Sequence, residues 1–332
     1  MARQATNQLL QKAKKSKSDE FYTQLCDIER ELQYYQDCFV GKVVYCNCDD
    51  PRTSNFFRYF GTNFHKLGLK KLIASCYKED TCDLFSCQES EKGFYCEYFG
   101  ESGNHFNPSD TEMVYFNGNG DFRSRECIAL LKQSDVVVTN PPFSLFREFV
   151  AQIVKYGKQF LVIGNVNAIT YKEIFDLIQK NKAWLGVNLG RGISGFIVPE
   201  HYDLYGTETS VNNEGQNIIA TNNCLWLTNL ELSQRNEELD LSKEYVGNEK
   251  EYPKFDNCDG INVNKTQDIP KDYDGLMGVP ITFLHKYNPN QFEIVKFRKG
   301  DDGKDLSVNG KCPYFRILIK RRSDFEIQPR TA

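Results

Sequence analysis

Residues 135–143 read Asp-Val-Val-Val-Thr-Asn-Pro-Pro-Phe, in which an apolar run is followed by two prolines and an aromatic residue. The three valines are apolar and β-branched, so they predict a buried strand. Asn140-Pro141-Pro142 must end that strand, because proline has a fixed φ and lacks the N–H that a sheet requires. A helix is predicted at 145–154, just after Phe143. The segment therefore delivers Asn140 to the carboxyl edge of a sheet.

An alternation of apolar strands and amphipathic helices continues on both sides of this segment. Further strands are predicted at 42–46, 71–75, 160–163 and 184–187, with a hairpin around 93–99. Further helices are predicted at 28–35, around 56–60, from 122 to 131 and at 172–179. This order is typical of the α/β class with an open, mostly parallel sheet, in which ligands bind outside the carboxyl ends of the strands.

The residue types at the end of this strand suit recognition of an aromatic amine. Asn140 offers a side-chain carbonyl, Pro141 adds a backbone carbonyl, and Phe143 adds an aromatic face. The exocyclic amine of adenine carries two N–H groups on one flat ring, so it could donate to both acceptors while the ring stacks. Accepting both hydrogens would free the nitrogen lone pair for attack. The alternative is a plain turn, since Asn-Pro and Pro-Pro are turn signals by themselves.

The motif Asn140-Pro141-Pro142-Phe143 after an apolar strand resembles the catalytic motif of S-adenosylmethionine-dependent N6-adenine DNA methyltransferases. Over nearly the whole chain, the sequence resembles an EcoRI-type modification methylase, above all in the phrases 138–147, 163–174 and 184–201. The resemblance implies methyl transfer from S-adenosylmethionine to a flipped adenine in double-stranded DNA. It makes GAATTC the first site to test, with protection from a cognate restriction endonuclease as the biological role, and it favours a monomer.

Two other functions stay open on the sequence alone. A protein-glutamine methyltransferase carries a similar motif, Asn-Pro-Pro-Tyr, but position 143 is Phe. A methyltransferase-like module that binds DNA without chemistry is favoured by the absence of the usual glycine-rich cofactor turn. Intact residues Asn140, Pro141, Pro142 and Phe143 favour the enzyme.

The resemblance also assigns cofactor-binding residues. Phe21, Tyr22 and Thr23 match the N-terminal segment of the family that packs on the cofactor. Cys46, Asp49 and Asp50 stand where the first-strand cofactor motif is expected, and either aspartate could meet the methionine ammonium. Ser75 and Cys76 replace the acidic residue expected after the second strand. Asp121 and Phe122 match the motif whose aspartate accepts from the adenine amine of the cofactor; the alternative for Asp121 is a helix N-cap.

A second glycine motif, Gly190-Arg191-Gly192-Ile193-Ser194-Gly195, fits G-x-G-x-x-G. The segment behind it is strand-like, whereas the dinucleotide fingerprint must open a helix, so this interpretation is rejected. In the methyltransferase interpretation, this segment is a hairpin beside the target pocket, where Phe196 braces the extruded base.

The domain organisation is predicted from composition and charge. Residues 1–17 form a basic flexible arm whose Lys14, Lys15 and Lys17 contact DNA, 18–230 form the catalytic domain, and 231–332 form a C-terminal DNA-recognition region. That region is expected to be β-rich, with strands at 280–284, 292–297 and 314–320 after a polar connection at 231–275. The net charge is −4, so bulk charge does not hold DNA; ten basic against four acidic side chains at 286–322 give a local basic stripe.

The cysteines and histidines do not indicate a metal site. The twelve cysteines include no C-x-x-C pair, and the four histidines have no metal-ligand spacing. Neither a secretory segment nor a membrane-spanning run is visible. A soluble, cytoplasmic protein without a metal is therefore expected.

Overall fold

The computed structural model describes residues 22–78, 92–101, 105–188, 193–198, 209–212, 215–220 and 223–322. Phe21, Lys14, Lys15 and Lys17 lie outside the described residues, as does the whole 1–17 segment. The chain divides into two compact units, the first within Met1–Ile174 and Leu185–Glu231, the second within Phe175–Trp184 and Leu232–Ala332.

The described residues form five α-helices: α1 (Leu25–Leu32), α2 (Asn55–Thr62), α3 (Arg125–Gln133), α4 (Phe146–Lys155) and α5 (Lys172–Gln179). They also form sixteen strands: β1 (Tyr22–Thr23), β2 (Val43–Cys46), β3 (Lys71–Cys76), β4 (Phe94–Tyr98), β5 (Met113–Tyr115), β6 (Val136–Thr139), β7 (Gln159–Asn165), β8 (Trp184–Leu185), β9 (Phe196–Ile197), β10 (Thr209–Val211), β11 (Asn217–Ile219), β12 (Cys224–Thr228), β13 (Gly260–Asn262), β14 (Leu276–Pro280), β15 (Phe292–Phe297) and β16 (Arg316–Arg321). None of the helices in the described part of the chain is long and apolar enough to cross a membrane.

The largest sheet has the strand order β5-β4-β3-β2-β6-β7-β12-β8. Its four central strands are parallel, β3 to β2, β2 to β6 and β6 to β7. Strands β4, β5 and β12 add antiparallel pairs on the two sides. The α/β class is confirmed, but parallel pairing is limited to the centre and the sheet is mixed. Each central parallel connection carries a helix, as a crossover requires.

Buried aromatic and β-branched side chains form the core around the central strands. Strands β2 and β6 are buried over their full lengths. Helix α2 buries Phe56, Phe57 and Phe60, and the Phe60 ring meets Phe39 edge-on at 5.0 Å between centroids. A serine caps the start of two of the three crossover helices: Ser54 accepts from Phe57 N–H in α2, and Ser124 accepts from Cys127 N–H in α3. The caps define where the loops after the strands end.

Two smaller sheets complete the described structure. The first unit holds a sheet of order β1-β9-β11-β10, which joins Tyr22–Thr23 to Phe196–Ile197. The second unit holds a sheet of order β13-β14-β16-β15. Strands β15 and β16 lie where strands were predicted.

Several predicted elements differ from the structure. The helix predicted from 122 to 131 lies at Arg125–Gln133, and the strand predicted at 184–187 is only Trp184–Leu185. The first helix lies at Leu25–Leu32 rather than 28–35. The predicted hairpin at 93–99 is the single strand β4, whose hairpin-like partner is β5. The strand predicted at 280–284 is wrong, because β14 ends at Pro280 and Ile281–Lys286 form a 3-10 helix. The polar segment 231–275 is more than a connection, since it contributes β13 to the second sheet.

Gly120 and Gly157 provide a matched test of how closely the loop before α3 approaches β3. Both have positive φ, +79° and +64°. A Cβ at Gly120 would lie 2.4 Å from the Cys76 carbonyl oxygen, whereas a Cβ at Gly157 would meet nothing within 4 Å. Gly157→Ala is expected to lower the free energy of unfolding by about 1 kcal/mol, from backbone strain alone.

Gly120→Ala should lower the free energy of unfolding by about 3 kcal/mol, since steric overlap with a backbone oxygen adds to the same strain. Urea denaturation of the two variants measures the difference. Equal losses would mean that the loop does not need the close approach to β3.

Candidate active site

The carboxyl ends of β2 and β6 form the floor of the candidate site. Asn47 follows β2 and Asn140 follows β6, and the two strands are parallel neighbours. The Thr139 hydroxyl donates to the Asn47 carbonyl oxygen, which ties the two strand ends together. On the other side, Ser75 Oγ donates to Asn47 Oδ1 at 3.2 Å, and Asp49 N–H donates to the Ser75 carbonyl at 2.9 Å. The loop after β2 is therefore held by both neighbouring strands.

The predicted catalytic motif lies at this edge of the sheet. Pro141 is buried, while Asn140, Pro142 and Phe143 are partly exposed. Leu145 N–H donates to the Pro142 carbonyl at 3.0 Å in a 3-10 turn, and α4 follows directly. Buried β6 on one side and a helix on the other give the motif a fixed position.

Phe196 lies beside the motif. Its ring meets that of Phe143 edge-on, with centroids 5.9 Å apart and an interplanar angle of 62°. In the small sheet, Phe196 pairs with Thr23, and Asn55 Nδ2 of α2 donates to the Thr23 carbonyl at 2.8 Å. Tyr22 pairs with Ile197. The N-terminal segment assigned to the cofactor and the segment assigned to the target base are thus neighbours.

Thr23 carries a polar atom that the described structure does not satisfy. Its side chain is 4% exposed, and its Oγ1 has no hydrogen-bond partner among the described residues. A buried hydroxyl without a partner costs roughly 1–3 kcal/mol. A bound ligand with a polar group at this point would remove that cost.

Asp49 and Asp50 differ in their surroundings. Asp49 accepts from the Ser54 hydroxyl, and burial raises the pKa of its carboxyl to about 7, helped by the charge of Asp50 and opposed by the Ser54 hydrogen bond. Asp50 accepts from Nε and Nη2 of Arg52 at 3.0 and 2.6 Å. Burial alone would raise the pKa of Asp50, but the Arg52 hydrogen bonds lower it below its usual value. The charge of Asp50 is thus neutralised by Arg52, whereas Asp49 accepts from a neutral hydroxyl.

Asp121 shows the same arrangement as Asp50. Nε and Nη2 of Arg123 donate to its carboxylate at 2.9 and 2.7 Å, and the Arg123 N–H donates at 2.8 Å. The hydrogen bond from the Arg123 side chain lowers the pKa of Asp121. The N-cap of α3 is Ser124, so the alternative role of Asp121 as a helix cap is wrong. The close approach of Gly120 to Cys76 brings this loop to the end of β3.

Cys46 and Phe122 are buried behind the edge of the sheet. Cys46 is the last residue of β2 and is fully buried, which raises the pKa of its thiol well above its usual range. The Phe122 ring packs edge-on against Phe149 of α4 at 5.2 Å, and Gln152 Nε2 donates to the Phe122 carbonyl at 2.9 Å. Both residues position the loops that carry Asp49 and Asp121.

Two carboxylates of α1 were not singled out from the sequence. Asp27 and Glu31 are both 0% exposed. Asp27 accepts from Ser194 N–H at 2.8 Å and from Ser194 Oγ at 2.9 Å. Glu31 accepts from the N–H groups of Val187 and Asn188 at 2.9 and 2.8 Å. Four residues apart on one helix face, they hold both ends of the segment that leads to Phe196. Burial raises the pKa of each carboxyl.

The spacing of these two carboxylates was the available signal. Ile28 and Leu32 place the same face of α1 in the core, so two acidic residues beside them had to be buried or paired. Nothing local identifies the partner, which lies in another part of the chain.

The family described as "Adenine-specific methyltransferase EcoRI" matches residues 9–322 of the chain. The chain belongs to this family. It is accordingly an adenine-specific DNA methyltransferase, and the enzyme interpretation is confirmed over the glutamine methyltransferase and the inactive DNA-binding module.

Three proteins similar to this methyltransferase are Type II methyltransferases. Type II methyltransferase M.EcoRI of Escherichia coli is 66% identical over 322 residues, covering 97% of this chain and 99% of the relative. M.MgeORF184P of Mycoplasma genitalium and M.MpnI of Mycoplasma pneumoniae, both Type II methyltransferases, are 40% and 38% identical; each alignment covers 94% of this chain and 98% of the relative. No solved structure matches the methyltransferase.

The methyltransferase shows no metal centre in its described part. Among those residues, no three His, Cys, Asp or Glu side chains are grouped so that they could hold a metal ion.

Asp27 should be important for the stability of the site wall. In Asp27→Ala, Ser194 N–H and Ser194 Oγ lose their ionic acceptor and Arg30 loses its ion pair, so the free energy of unfolding should fall by about 1–3 kcal/mol. Asp37→Ala is the control, because Asp37 is exposed on the turn after α1 and its removal should change stability by less than about 0.5 kcal/mol. Urea denaturation measures both. If both variants lose less than about 0.5 kcal/mol, the contacts of Asp27 make no net contribution to the free energy of unfolding.

Proposed function

We propose that this enzyme transfers a methyl group from S-adenosylmethionine to N6 of an adenine in GAATTC, and thereby protects this site from a cognate restriction endonuclease. The observation that carries the proposal is the position of Asn140-Pro141-Pro142-Phe143 at the carboxyl edge of β6, facing Phe196 and next to β1. The 66% identity to M.EcoRI over nearly the whole chain supports the target sequence.

The target adenine is shielded inside the duplex, so it must be flipped out of the stack at a cost of a few kcal/mol. The two rings Phe143 and Phe196 form an aromatic wall that repays part of this cost by stacking and bracing the base. Asn140 Oδ1 and the Pro141 carbonyl accept the two N6 hydrogens. Two acceptors draw the nitrogen towards sp³ geometry, so its lone pair becomes nucleophilic. The N6–CH3 bond would form as the S–CH3 bond of the sulfonium breaks, which leaves a neutral thioether, and N6 would then lose one of its two protons to solvent.

The residues of the site fit S-adenosylmethionine, which supplies an electrophilic methyl group when bound. The buried Thr23 Oγ1 needs a hydrogen-bond partner, and Tyr22 lies next to it in β1. Asp49 is the aspartate assigned to the methionine ammonium, because Arg52 already neutralises the charge of Asp50, whereas Asp49 accepts from a neutral hydroxyl. The adenine amine is a neutral donor, so a carboxylate that is paired with an arginine can still accept from it. Asp121 would accept from the adenine amine, and its Arg123 partner keeps it ionised for that role. Phe21 is expected to extend this surface.

The same proposal assigns a function to each of three segments of the chain. Residues 18–230 form the catalytic domain, and 231–332 form the region that recognises DNA. Lys14, Lys15 and Lys17 of the basic arm 1–17 contact phosphates. The enzyme acts as a cytoplasmic monomer on one strand of double-stranded DNA per encounter, and it needs no metal ion.

Asn140→Ala should abolish turnover while cofactor binding is retained, because one of two N6 acceptors is lost. Removing one group aimed at the reacting atom costs about 100-fold or more in rate. Asn107→Ala, an exposed cap of a 3-10 turn, is the matched control and should keep the wild-type rate. Tritium transfer from labelled S-adenosylmethionine to a GAATTC duplex in a single turnover measures the rate. Near-native transfer by Asn140→Ala would refute the mechanism.

Binding of S-adenosylmethionine should strengthen as pH rises from 6 to 7.5. The pKa of Asp49 is about 7, so its ionised fraction rises from about one-tenth to about three-quarters over this interval, and only the ionised form attracts an ammonium. The dissociation constant measured by calorimetry should fall about eightfold. In Asp49→Asn, the constant should be higher and lose this pH dependence. An unchanged pH profile in the variant would return the assignment to Asp50.

A further inference from the structure

Arg316 in the second unit is held in a fixed orientation by two acceptors. Its Nε donates to Asn262 Oδ1 at 2.8 Å, and its Nη1 donates to the Tyr314 carbonyl at 2.7 Å. Asn262 is 5% exposed, and its Nδ2 donates to Asn264 Oδ1 at 2.9 Å, which turns its Oδ1 towards Arg316. The plane of the guanidinium is therefore set from β13 on one side and from the start of β16 on the other.

Arg316 differs in its partners from Arg298 and Arg321, which are both paired with aspartates, and it shares with Arg322 a neutral carbonyl acceptor. Among the described contacts of these four arginines, Arg316 is the one whose guanidinium donates to two neutral acceptors and to no carboxylate. Arg298 is paired with Asp305 at 2.7 Å, and Arg321 is paired with Asp274 at 2.9 Å. Within the part of the chain that the structure describes, no carboxylate lies within salt-bridge distance of Arg316. Partial burial lowers the pKa of Arg316 without an anion to oppose it. The positive charge of Arg316 is therefore partly desolvated, and its two acceptors, Asn262 Oδ1 and the Tyr314 carbonyl, are neutral.

A guanidinium has five N–H groups. The hydrogen bonds of Arg316 to Asn262 and to the Tyr314 carbonyl use one N–H on Nε and one on Nη1. The remaining N–H groups on Nη1 and Nη2 can form a fork. Beside it, Tyr314 is 72% exposed and stacks on Phe315 with centroids 4.9 Å apart, so an aromatic surface accompanies the fork. A charged fork with a set plane, next to an exposed ring, suits a flat acceptor edge better than a freely moving phosphate.

We propose that Arg316 is a specificity-determining residue that donates two hydrogen bonds to O6 and N7 of a guanine in the target site. This inference rests on the proposed function, since the target GAATTC presents such a guanine in each strand. Guanine is the base that offers two adjacent acceptors in the major groove, and a bidentate arginine is its usual partner. A phosphate contact would use the same N–H groups but would carry no sequence information.

The test compares guanine with 7-deazaguanine, which lacks the N7 acceptor. Wild-type enzyme, Arg316→Ala and Arg316→Lys are assayed for kcat/KM on GAATTC duplexes containing either base. Wild type should lose about tenfold on 7-deazaguanine, since a good bidentate pair gives that order of discrimination. Arg316→Ala should lose about tenfold or more on normal GAATTC and then show no further loss on 7-deazaguanine. Arg316→Lys keeps the charge and should behave like the alanine variant.

Lys320→Ala is the matched control, because Lys320 is exposed on the same strand, β16. It should retain the wild-type loss on 7-deazaguanine. Calorimetry with S-adenosylmethionine checks that each variant still binds cofactor. If Arg316→Ala is insoluble or does not bind S-adenosylmethionine, the loss on 7-deazaguanine is compared between wild type and Arg316→Lys.

An equal penalty for 7-deazaguanine in wild type and in the Arg316 variants would overturn the inference and leave Arg316 as a phosphate contact or a structural residue. Failure of wild type to methylate normal GAATTC faster than a scrambled duplex would overturn the proposed function, and the inference with it.

Discussion

The hydrogen bond from the Thr139 hydroxyl to the Asn47 carbonyl joins the two strand ends on which the site depends. One of these strands is followed by Asn140 and the other by Asp49 and Asp50. Parallel strands bring their carboxyl ends to one edge, and that geometry lets a single site bind a methyl donor and an acceptor. Every other element of the site, from the caps of α2 and α3 to the carboxylates of α1, fixes a loop relative to this edge.

Burial and pairing divide the acidic residues of the site into distinct roles. Asp50 and Asp121 are each neutralised by an arginine two residues later, so their geometry is set before any ligand arrives. Among the described residues, the Asp49 carboxyl accepts from the Ser54 hydroxyl alone, and burial raises its pKa; under the proposed function, the ammonium of the cofactor would complete its ion pair. Glu31 accepts from backbone and neutral side-chain groups, whereas Asp27 accepts from Ser194 and also from Arg30 Nη1 at 3.3 Å; together they hold the segment that leads to Phe196.

The sequence predicted the central strands well because β2, β3, β6 and β7 are continuous apolar runs, buried on both faces. The sequence suggested a place for Phe196 beside the target pocket only through the family resemblance, and its contact with Phe143 was not predicted, since this contact joins distant segments. Strand β13 and the 3-10 helix at Ile281–Lys286 were missed, because their short mixed sequences acquire a structure from pairing in the second sheet. Likewise, the partners of Glu31 and Asp27 lie 156 and 167 residues along the chain, and no local pattern encodes them.

Protection of DNA tests the central claim most directly. A plasmid with GAATTC sites is incubated with the enzyme and S-adenosylmethionine and then treated with a restriction nuclease that cuts GAATTC. We expect complete resistance to cutting, with N6-methyladenine recovered from the second adenine of the site. Continued cutting at the rate of untreated plasmid, while labelled methyl groups enter the DNA elsewhere, would contradict the assignment.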